Sequence, residues 1–116
     1  MQFHEPKDCR NYLWTFHSKR KLFQYGFGPG LIKRVIRYPD RKEEGVAENT
    51  VAVMKDKSTK STKKEVWVMY QNVKRKKRII SVWIYLGKTK PETEIFVPDE
   101  VWEELTKNNG KLKIKN

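Results

Sequence analysis

Two strongly apolar β-strand patterns, residues 65–71 and 79–86, most constrain what this chain can fold into. Both are rich in Val, Ile, Trp and Tyr, residue types that favour strands. The second pattern is apolar at consecutive positions, as expected of a central strand with both faces buried. The basic run between them, residues 74–78, is long enough only for the tip of a hairpin. We therefore expect these two strands to be neighbours in one sheet.

A short basic helix is predicted before these strands. Residues 13–16 are bulky and β-prone, so they fit a short edge strand, and His17 follows at its end. Ser18 is a suitable N-cap and Gly26 a suitable left-handed C-cap, so a helix of about two turns is expected between them. Two apolar side chains are expected to anchor this helix: Leu22 and Phe23.

A second basic helix is predicted directly afterwards. Pro29 suits the first helical position because it has no amide proton to donate, and Pro39 ends the helix. Apolar residues recur between them at helical spacing, and cations take the other side. The apolar residues are Leu31, Ile32, Val35 and Ile36, and the cations are Lys33, Arg34 and Arg37.

The remaining segments carry weaker patterns. Residues 1–11 fit an irregular N-terminal arm, residues 40–49 a turn and residues 50–55 a further strand. Residues 56–64 are low in sequence complexity and predict a flexible loop. Near the C-terminus, residues 111–115 alternate Lys with Leu or Ile, which fits a short edge strand or a tail.

An acidic helix is predicted over residues 98–108, because Pro98 suits a first helical position and Asp99 and Glu100 favour the opening turn. Together these patterns predict a single α+β domain over residues 1–116. It contains a twisted antiparallel sheet of three to five strands, two N-terminal helices packed on one face and an extra C-terminal helix.

The formal net charge of +12 and the isoelectric point of about 9.9 indicate an anionic partner. A partner carrying phosphates is the first explanation, and an anionic membrane or a merely solubilising surface are the alternatives. The longest apolar run is far shorter than the ~20 residues that a spanning helix needs. We therefore expect RNA or another nucleic acid as the partner, and no membrane.

Metal and disulfide chemistry are not expected. Cys9 is the only cysteine, and His4 and His17 are the only histidines. No intramolecular disulfide can form from one cysteine, and a zinc site needs more ligands of this kind. The sequence thus predicts no cofactor, and it suits the reducing cytoplasm.

The order of these segments resembles a known family. A strand end with Thr15-x-His17, then Lys21-Leu22, Gly26, Ile32 and Val35-Ile36 is similar to the pattern of small toxin-like proteins of the RelE and BrnT type. The resemblance is greatest to an uncharacterised domain family in that clan. Residues 66–70 and 79–85 match the last two strands of the family by residue type, so the resemblance covers about residues 13–86.

The resemblance implies a RelE/BrnT-like core over residues 13–86, a metal-independent endoribonuclease of a toxin–antitoxin pair, and an acidic antitoxin as partner. RNA cleavage without a metal needs a proton acceptor, a proton donor and cations for the developing charge. His17, with an ordinary pKa of about 6.5, suits either proton role. Tyr70 can donate a proton or stack a base. A structural role is the more common one for both residue types in such positions, His17 at a strand end and Tyr70 at the edge of a core.

The predicted phosphate contacts come from three segments. Arg20 and Lys21 of the first helix and Arg34 and Arg37 of the second are expected to meet beside His17 at one rim of the sheet. The hairpin tip is expected to contact the nucleic-acid backbone without reading its sequence. Its cations are Lys74, Arg75, Lys76, Lys77 and Arg78. Charge runs of this kind also occur as solvated surfaces.

Two other classes of function stay open at this point. A non-catalytic nucleic-acid-binding protein, as in viruses or mobile elements, would use the same basic surface with a structural His17. A protein–protein interaction module would use the acidic C-terminal helix to bind a basic partner.

Overall fold

The computed structural model describes residues 6–45, 47–90 and 94–109. It confirms the α+β class, with a five-stranded sheet and three helices in the described part of the chain. In chain order the elements are β1 (Tyr12–Trp14), α1 (Phe16–Tyr25), α2 (Pro29–Arg37), β2 (Arg41–Glu44), β3 (Thr50–Asp56), β4 (Lys64–Val73), β5 (Lys76–Leu86) and α3 (Asp99–Asn109).

The sheet is mixed, with the strand order β1-β5-β4-β3-β2. β2, β3, β4 and β5 pair antiparallel, as predicted, but β1 lies parallel to β5. The prediction of a wholly antiparallel sheet is therefore wrong at this edge. A parallel pair requires a long crossover, and here the helices and three strands that separate β1 from β5 supply it.

Backbone pairing extends the sheet beyond the predicted strands. β2 falls within residues 40–49, where a turn was predicted, because its backbone pairs with β3 from Arg41 opposite Met54 onward. The hairpin between β4 and β5 is also longer than predicted. Residues 76–78 belong to β5 and pair with residues 71–73, so only Lys74 and Arg75 form the turn. Ladder hydrogen bonds here override the weak strand preference of lysine.

α1 begins at Phe16 rather than after Ser18. Thr15 is the N-cap, because its hydroxyl accepts a hydrogen bond from the Ser18 amide at 3.1 Å. The same hydroxyl donates to the Ile79 carbonyl of β5 at 2.9 Å, which ties the start of the helix to the sheet. Gly26 ends the helix in the left-handed region, with φ 70°, as predicted.

Helices cover both faces of the sheet. The first core lies between the sheet and α2, where Ile32, Val35 and Ile36 pack on Val53 and Val68. The second core lies on the opposite face, beneath α3. Its members include Ala52, Trp67, Met69, Ile80, Trp83, Val101 and Leu105.

α1 lies beside β5 and contributes to both sides. Its Leu22 joins the first core, while His17 and Lys21 turn toward α3. The two N-terminal helices thus differ from the expected pair on one face, because α1 is shared between the sheet edge and the later acidic helix. Phe23, expected as an anchor, is exposed.

A β-bulge interrupts the pairing of β4 with β5. Met69 lies opposite Ser81 but Tyr70 lies opposite Ile79, so Ile80 is the additional residue. Met69 and Ile80 both belong to the second core. Consequently Ile80 and Ser81, although consecutive, both face α3.

The loop predicted over residues 56–64 is a hydrogen-bonded connection, in which the Lys57 amide donates to the Lys64 carbonyl at 2.9 Å. Predictions for residues 1–5, including His4, and for residues 111–115 lie outside the described residues. The longest described helix has 11 residues, and no helix in the described part of the chain is long and apolar enough to cross a membrane.

Candidate nucleic-acid interface

His17 is buried between β5 and α3. Its side chain is 6% exposed, with Nε2 2.9 Å from the Ser81 hydroxyl and Nδ1 3.8 Å from a Glu104 carboxylate oxygen. Burial lowers the pKa of His17 below its ordinary value, although Glu104 and Glu100 act in the opposite direction. The imidazole is therefore neutral at pH 7 and fits the structural role foreseen for it.

The Lys21 side chain also forms its contacts within the fold. Its side chain is 5% exposed, and its ammonium group lies 2.5 Å from a Glu100 carboxylate oxygen of α3. It also donates to the Gln24 amide oxygen at 3.1 Å and lies 5.0 Å from the centre of the Tyr25 ring. The ammonium group of Lys21 is therefore engaged within the fold.

The predicted meeting of His17 with Arg34 and Arg37 does not occur. α2 lies over the first core, and both arginines point away from that core into solvent. His17 instead faces α3 on the opposite side of the sheet. Arg20 is exposed on the outer side of α1. The layer arrangement separates the imidazole from the guanidinium groups of α2.

Tyr70 is part of the first core rather than an open catalytic group. It is 4% exposed, and burial raises the pKa of its hydroxyl. The Lys77 ammonium group lies 5.5 Å from the centre of its ring, so Tyr70 supports a cation at the surface.

A second ring supports a second cation at the same place. Lys33 of α2 lies 5.4 Å from the centre of the Tyr12 ring, and Tyr12 of β1 pairs with Lys77 of β5. α2, β1 and the β4–β5 hairpin thus meet at one end of the sheet. We call this region the hairpin-end surface, and its cations are Lys33, Lys74, Arg75, Lys76 and Lys77.

The hairpin-end cations differ from other cations in their ion pairing within the described residues. Three lysines elsewhere form ion pairs: Lys42 with Glu44, Lys55 with Asp40, and Lys88 with Asp56. Within residues 6–45, 47–90 and 94–109, no ion pair joins a hairpin-end cation to a carboxylate. No carboxylate of the described residues therefore neutralises the positive charge of this surface.

The pKa of the exposed Cys9 thiol is lowered from its ordinary value. Backbone hydrogen bonds at Asn11 and Tyr12 lower its pKa, and the charges of Lys33 and Lys76 lower it further. Lys33 and Lys76 thus both lie near enough to Cys9 for their charges to act on it.

Arg78 differs from the other predicted hairpin cations. It is half-buried and donates to the Gln71 amide oxygen at 2.6 Å across the β4–β5 pair. Its Nε is buried without a hydrogen-bond partner. Arg78 is therefore held within the β4–β5 pair, and for this reason it is not counted among the hairpin-end cations.

Sequence reasoning did not select Tyr12, Lys33, Ser81 or Glu104. Tyr12 precedes the predicted strand by one residue, and Lys33 was included only among the cations of the second helix. No local pattern reveals the other two residues, because their contacts join segments 64 or more positions apart. In the described part of the chain, no cluster of three or more His, Cys, Asp or Glu side chains could hold a metal ion.

The fold and the surface define a class: an α+β protein with a mixed five-stranded sheet and a cationic hairpin end. Comparison with models of protein families, with curated protein sequences and with solved structures gave no match. The resemblance to RelE and BrnT proteins therefore rests on the residues quoted for it.

Proposed function

We propose that this protein binds nucleic acid, with RNA as the first ligand, through the hairpin-end surface. The observation that carries the proposal is the convergence of five cations from α2 and the β4–β5 hairpin without a carboxylate partner in the described residues. Arg34 and Arg37 extend the positive charge along the solvent side of α2. An acidic antitoxin, if the chain has one, would compete for the same surface.

Such a surface binds the phosphate backbone. Each phosphate that a Lys or Arg neutralises releases condensed counterions, so the logarithm of the affinity falls by about 0.7 per contact for each tenfold rise in salt on a single strand. The lysines over Tyr12 and Tyr70 are held in place by the rings, whereas Lys74 and Arg75 extend from the turn. The binding is therefore electrostatic and insensitive to base sequence.

The test compares two charge-matched double variants with the unchanged protein. Lys74→Gln with Arg75→Gln removes two unpaired hairpin cations, and Lys42→Gln with Lys88→Gln removes two cations that are paired with carboxylates. Affinity for a fluorescent RNA of mixed sequence is measured between about 50 and 200 mM salt. We expect the hairpin variant to lose about tenfold in affinity and about 1.4 in salt slope, and the control to lose much less.

Equal losses in the two variants, or no binding by the unchanged protein even at low salt, would contradict the proposal. The same RNA is incubated in EDTA with the unchanged protein and with His17→Ala. Because His17 is buried and bonded to Ser81, we expect binding without cleavage. Cleavage that disappears in His17→Ala would favour the metal-independent endoribonuclease instead.

A further inference from the structure

We propose that one nucleic-acid strand runs over α2, from the hairpin-end surface to a second basic surface at the opposite end of the sheet. This path, which rests on the proposed function, adds a second binding site and a ligand length to it. The second surface is formed by Lys57, Lys60 and Lys63 in the loop between β3 and β4, and we call it the loop-end surface. All three lysines are exposed.

The loop that carries these lysines is held by hydrogen bonds of its own. The Thr59 amide donates to the Thr62 carbonyl at 2.8 Å, and the Thr62 amide donates to the Thr59 hydroxyl at 3.1 Å. The Ser58 hydroxyl accepts from the Lys64 amide at 2.9 Å, which ties the loop to the start of β4. Because the backbone is already ordered, a ligand that contacts the loop loses less free energy in ordering it.

The loop-end lysines resemble the hairpin-end cations in their ion pairing. In the part of the chain that the structure describes, no ion pair joins Lys57, Lys60 or Lys63 to a carboxylate. The acid nearest to them in sequence, Asp56, is paired with Lys88 at 3.2 Å. The loop end therefore has an excess of positive charge, as the hairpin end does.

The two basic surfaces lie at opposite ends of the same strands. β4 begins at Lys64, directly after the loop, and ends at Val73, directly before the hairpin turn. A strand of 10 residues is about 30 Å long. This distance is several Debye lengths at physiological salt, so the two surfaces act on different phosphates of a ligand.

α2 supplies cations between the two ends. Its Lys33 belongs to the hairpin-end surface. The residue that follows the helix, Tyr38, accepts a hydrogen bond through its carbonyl from the Lys55 ammonium group at 3.2 Å, near the end of β3 that leads into the loop. The exposed Arg34 and Arg37 occur between these two points, and the helix contains no acid. Positive charge therefore continues along α2 from one basic surface toward the other.

Charge disfavours the other routes between the two ends. On the opposite face of the sheet, α3 contains four acids and one lysine, whereas α2 contains three cations and no acid. At the sheet edge, β2 pairs its own charges, Arg41 with Glu43 and Lys42 with Glu44. A chain of phosphates is repelled by the acids of α3 and attracted by the cations of α2, so it follows the α2 face.

The separation of the two surfaces sets the length of the ligand. A nucleic-acid strand with stacked bases carries one phosphate per about 3.4 Å, so about nine nucleotides span the length of β4. A much shorter RNA contacts one surface only. A longer RNA contacts both, and its affinity should depend on the lysines of the loop.

The test measures affinity for fluorescent RNA strands of about 12 and about 4 nucleotides between about 50 and 200 mM salt. Lys57→Gln with Lys60→Gln removes two loop-end cations, and Lys42→Gln with Lys107→Gln is the control for an equal loss of net charge outside the path. We expect the loop-end variant to lose about tenfold in affinity and about 1.4 in salt slope for the longer RNA, and less than about twofold in affinity for the shorter one. The control should lose much less than the loop-end variant on the longer RNA.

Unchanged affinity and salt slope of the loop-end variant on the longer RNA would overturn the path, and so would a loss equal to that of the control. A loss seen only in Lys74→Gln with Arg75→Gln would leave the proposed function intact and confine the ligand to the hairpin end. If the unchanged protein does not bind the longer RNA even at low salt, the proposed function itself fails.

Stoichiometry and a third variant test the route over α2. We expect one longer RNA per protein at saturation, whereas two per protein would mean that each end binds its own strand and would contradict the path. Arg34→Gln with Arg37→Gln should also lose about tenfold in affinity for the longer RNA, because both cations lie between the two surfaces. Full affinity of this variant would exclude α2 as the route.

Discussion

The two helices that cover the sheet are attached in different ways. α2 contacts the first core through apolar side chains, with Ile32 and Val35 fully buried, and its Lys33 also lies over the Tyr12 ring. α3 contacts the second core through Val101 and Leu105, but it also places two carboxylates on α1. The position of α2 depends on burial of apolar surface, whereas the position of α3 depends in addition on charge.

This difference follows from where the charges lie. Two cations of α2, Arg34 and Arg37, are exposed to solvent, and Lys33 lies over the Tyr12 ring. Two acids of α3 lie against α1 instead, where Glu100 pairs with Lys21 and Glu104 faces His17. Conditions that change ionisation should therefore act on the second face of the sheet and leave the first face largely unaffected.

The largest effect is expected at the apolar interface. Ile32→Ala removes methylene and methyl groups from a fully buried site and leaves a cavity, which costs about 2–5 kcal/mol of the free energy of unfolding. Leu31→Ala on the same helix is the control, because Leu31 is only partly buried. Urea unfolding measures both, and a similar loss at the two positions would contradict the assignment of Ile32 to the first core.

A smaller loss is expected at the charged interface. Glu100→Gln leaves the buried Lys21 ammonium group without its carboxylate, and we expect a loss of about 1–2 kcal/mol in the free energy of unfolding. Glu103→Gln removes an exposed acid from the same helix and should change stability little. Urea unfolding of the two variants at equal salt distinguishes the ion pair from a general effect of acidic charge on α3.

The smallest effect on the free energy of unfolding is expected from the protonation of His17. Its pKa is lowered by burial, so in acid the unfolded chain binds the proton before the folded chain does. The stabilisation is complete above about pH 6.5 and is lost as the pH falls toward the lowered pKa, by at most about 1.4 kcal/mol per pH unit. Urea unfolding of the unchanged protein and of His17→Gln, above and below about pH 6.5, measures how the free energy of unfolding of each depends on pH. An equal dependence on pH in both proteins would remove His17 as the cause.

The parts of the fold that depend on local patterns were predictable. The paired strands, the second helix from Pro29 and the C-cap at Gly26 follow from residue spacing alone. β2 was missed because residues 41–44 are all charged and form a strand only when paired with β3. The parallel position of β1 likewise depends on β5, which begins more than 60 residues later.

Two residues of the predicted site, His17 and Lys21, lie elsewhere than expected for a related reason. A helix with cations at its start indicates an outward basic face, but Lys21 is drawn inward by an acid of α3 that is 79 positions later in the sequence. The same orientation buries His17 and turns Phe23 outward. By contrast, the sequence allowed the basic hairpin to be placed at an end of the sheet, because a turn between two apolar strands can lie only there, although only Lys74 and Arg75 form the turn itself.

The bulge at Ile80 also determines which way the hairpin presents its cations. Along a regular strand, side chains alternate strictly, and an additional residue inverts that alternation for every position beyond it. Without Ile80 as an extra residue, Lys77 would project toward the α3 side and Arg78 toward the α2 side. One inserted residue near the middle of β5 thus determines which face of the sheet carries Lys77, and places it on the same side as Lys33.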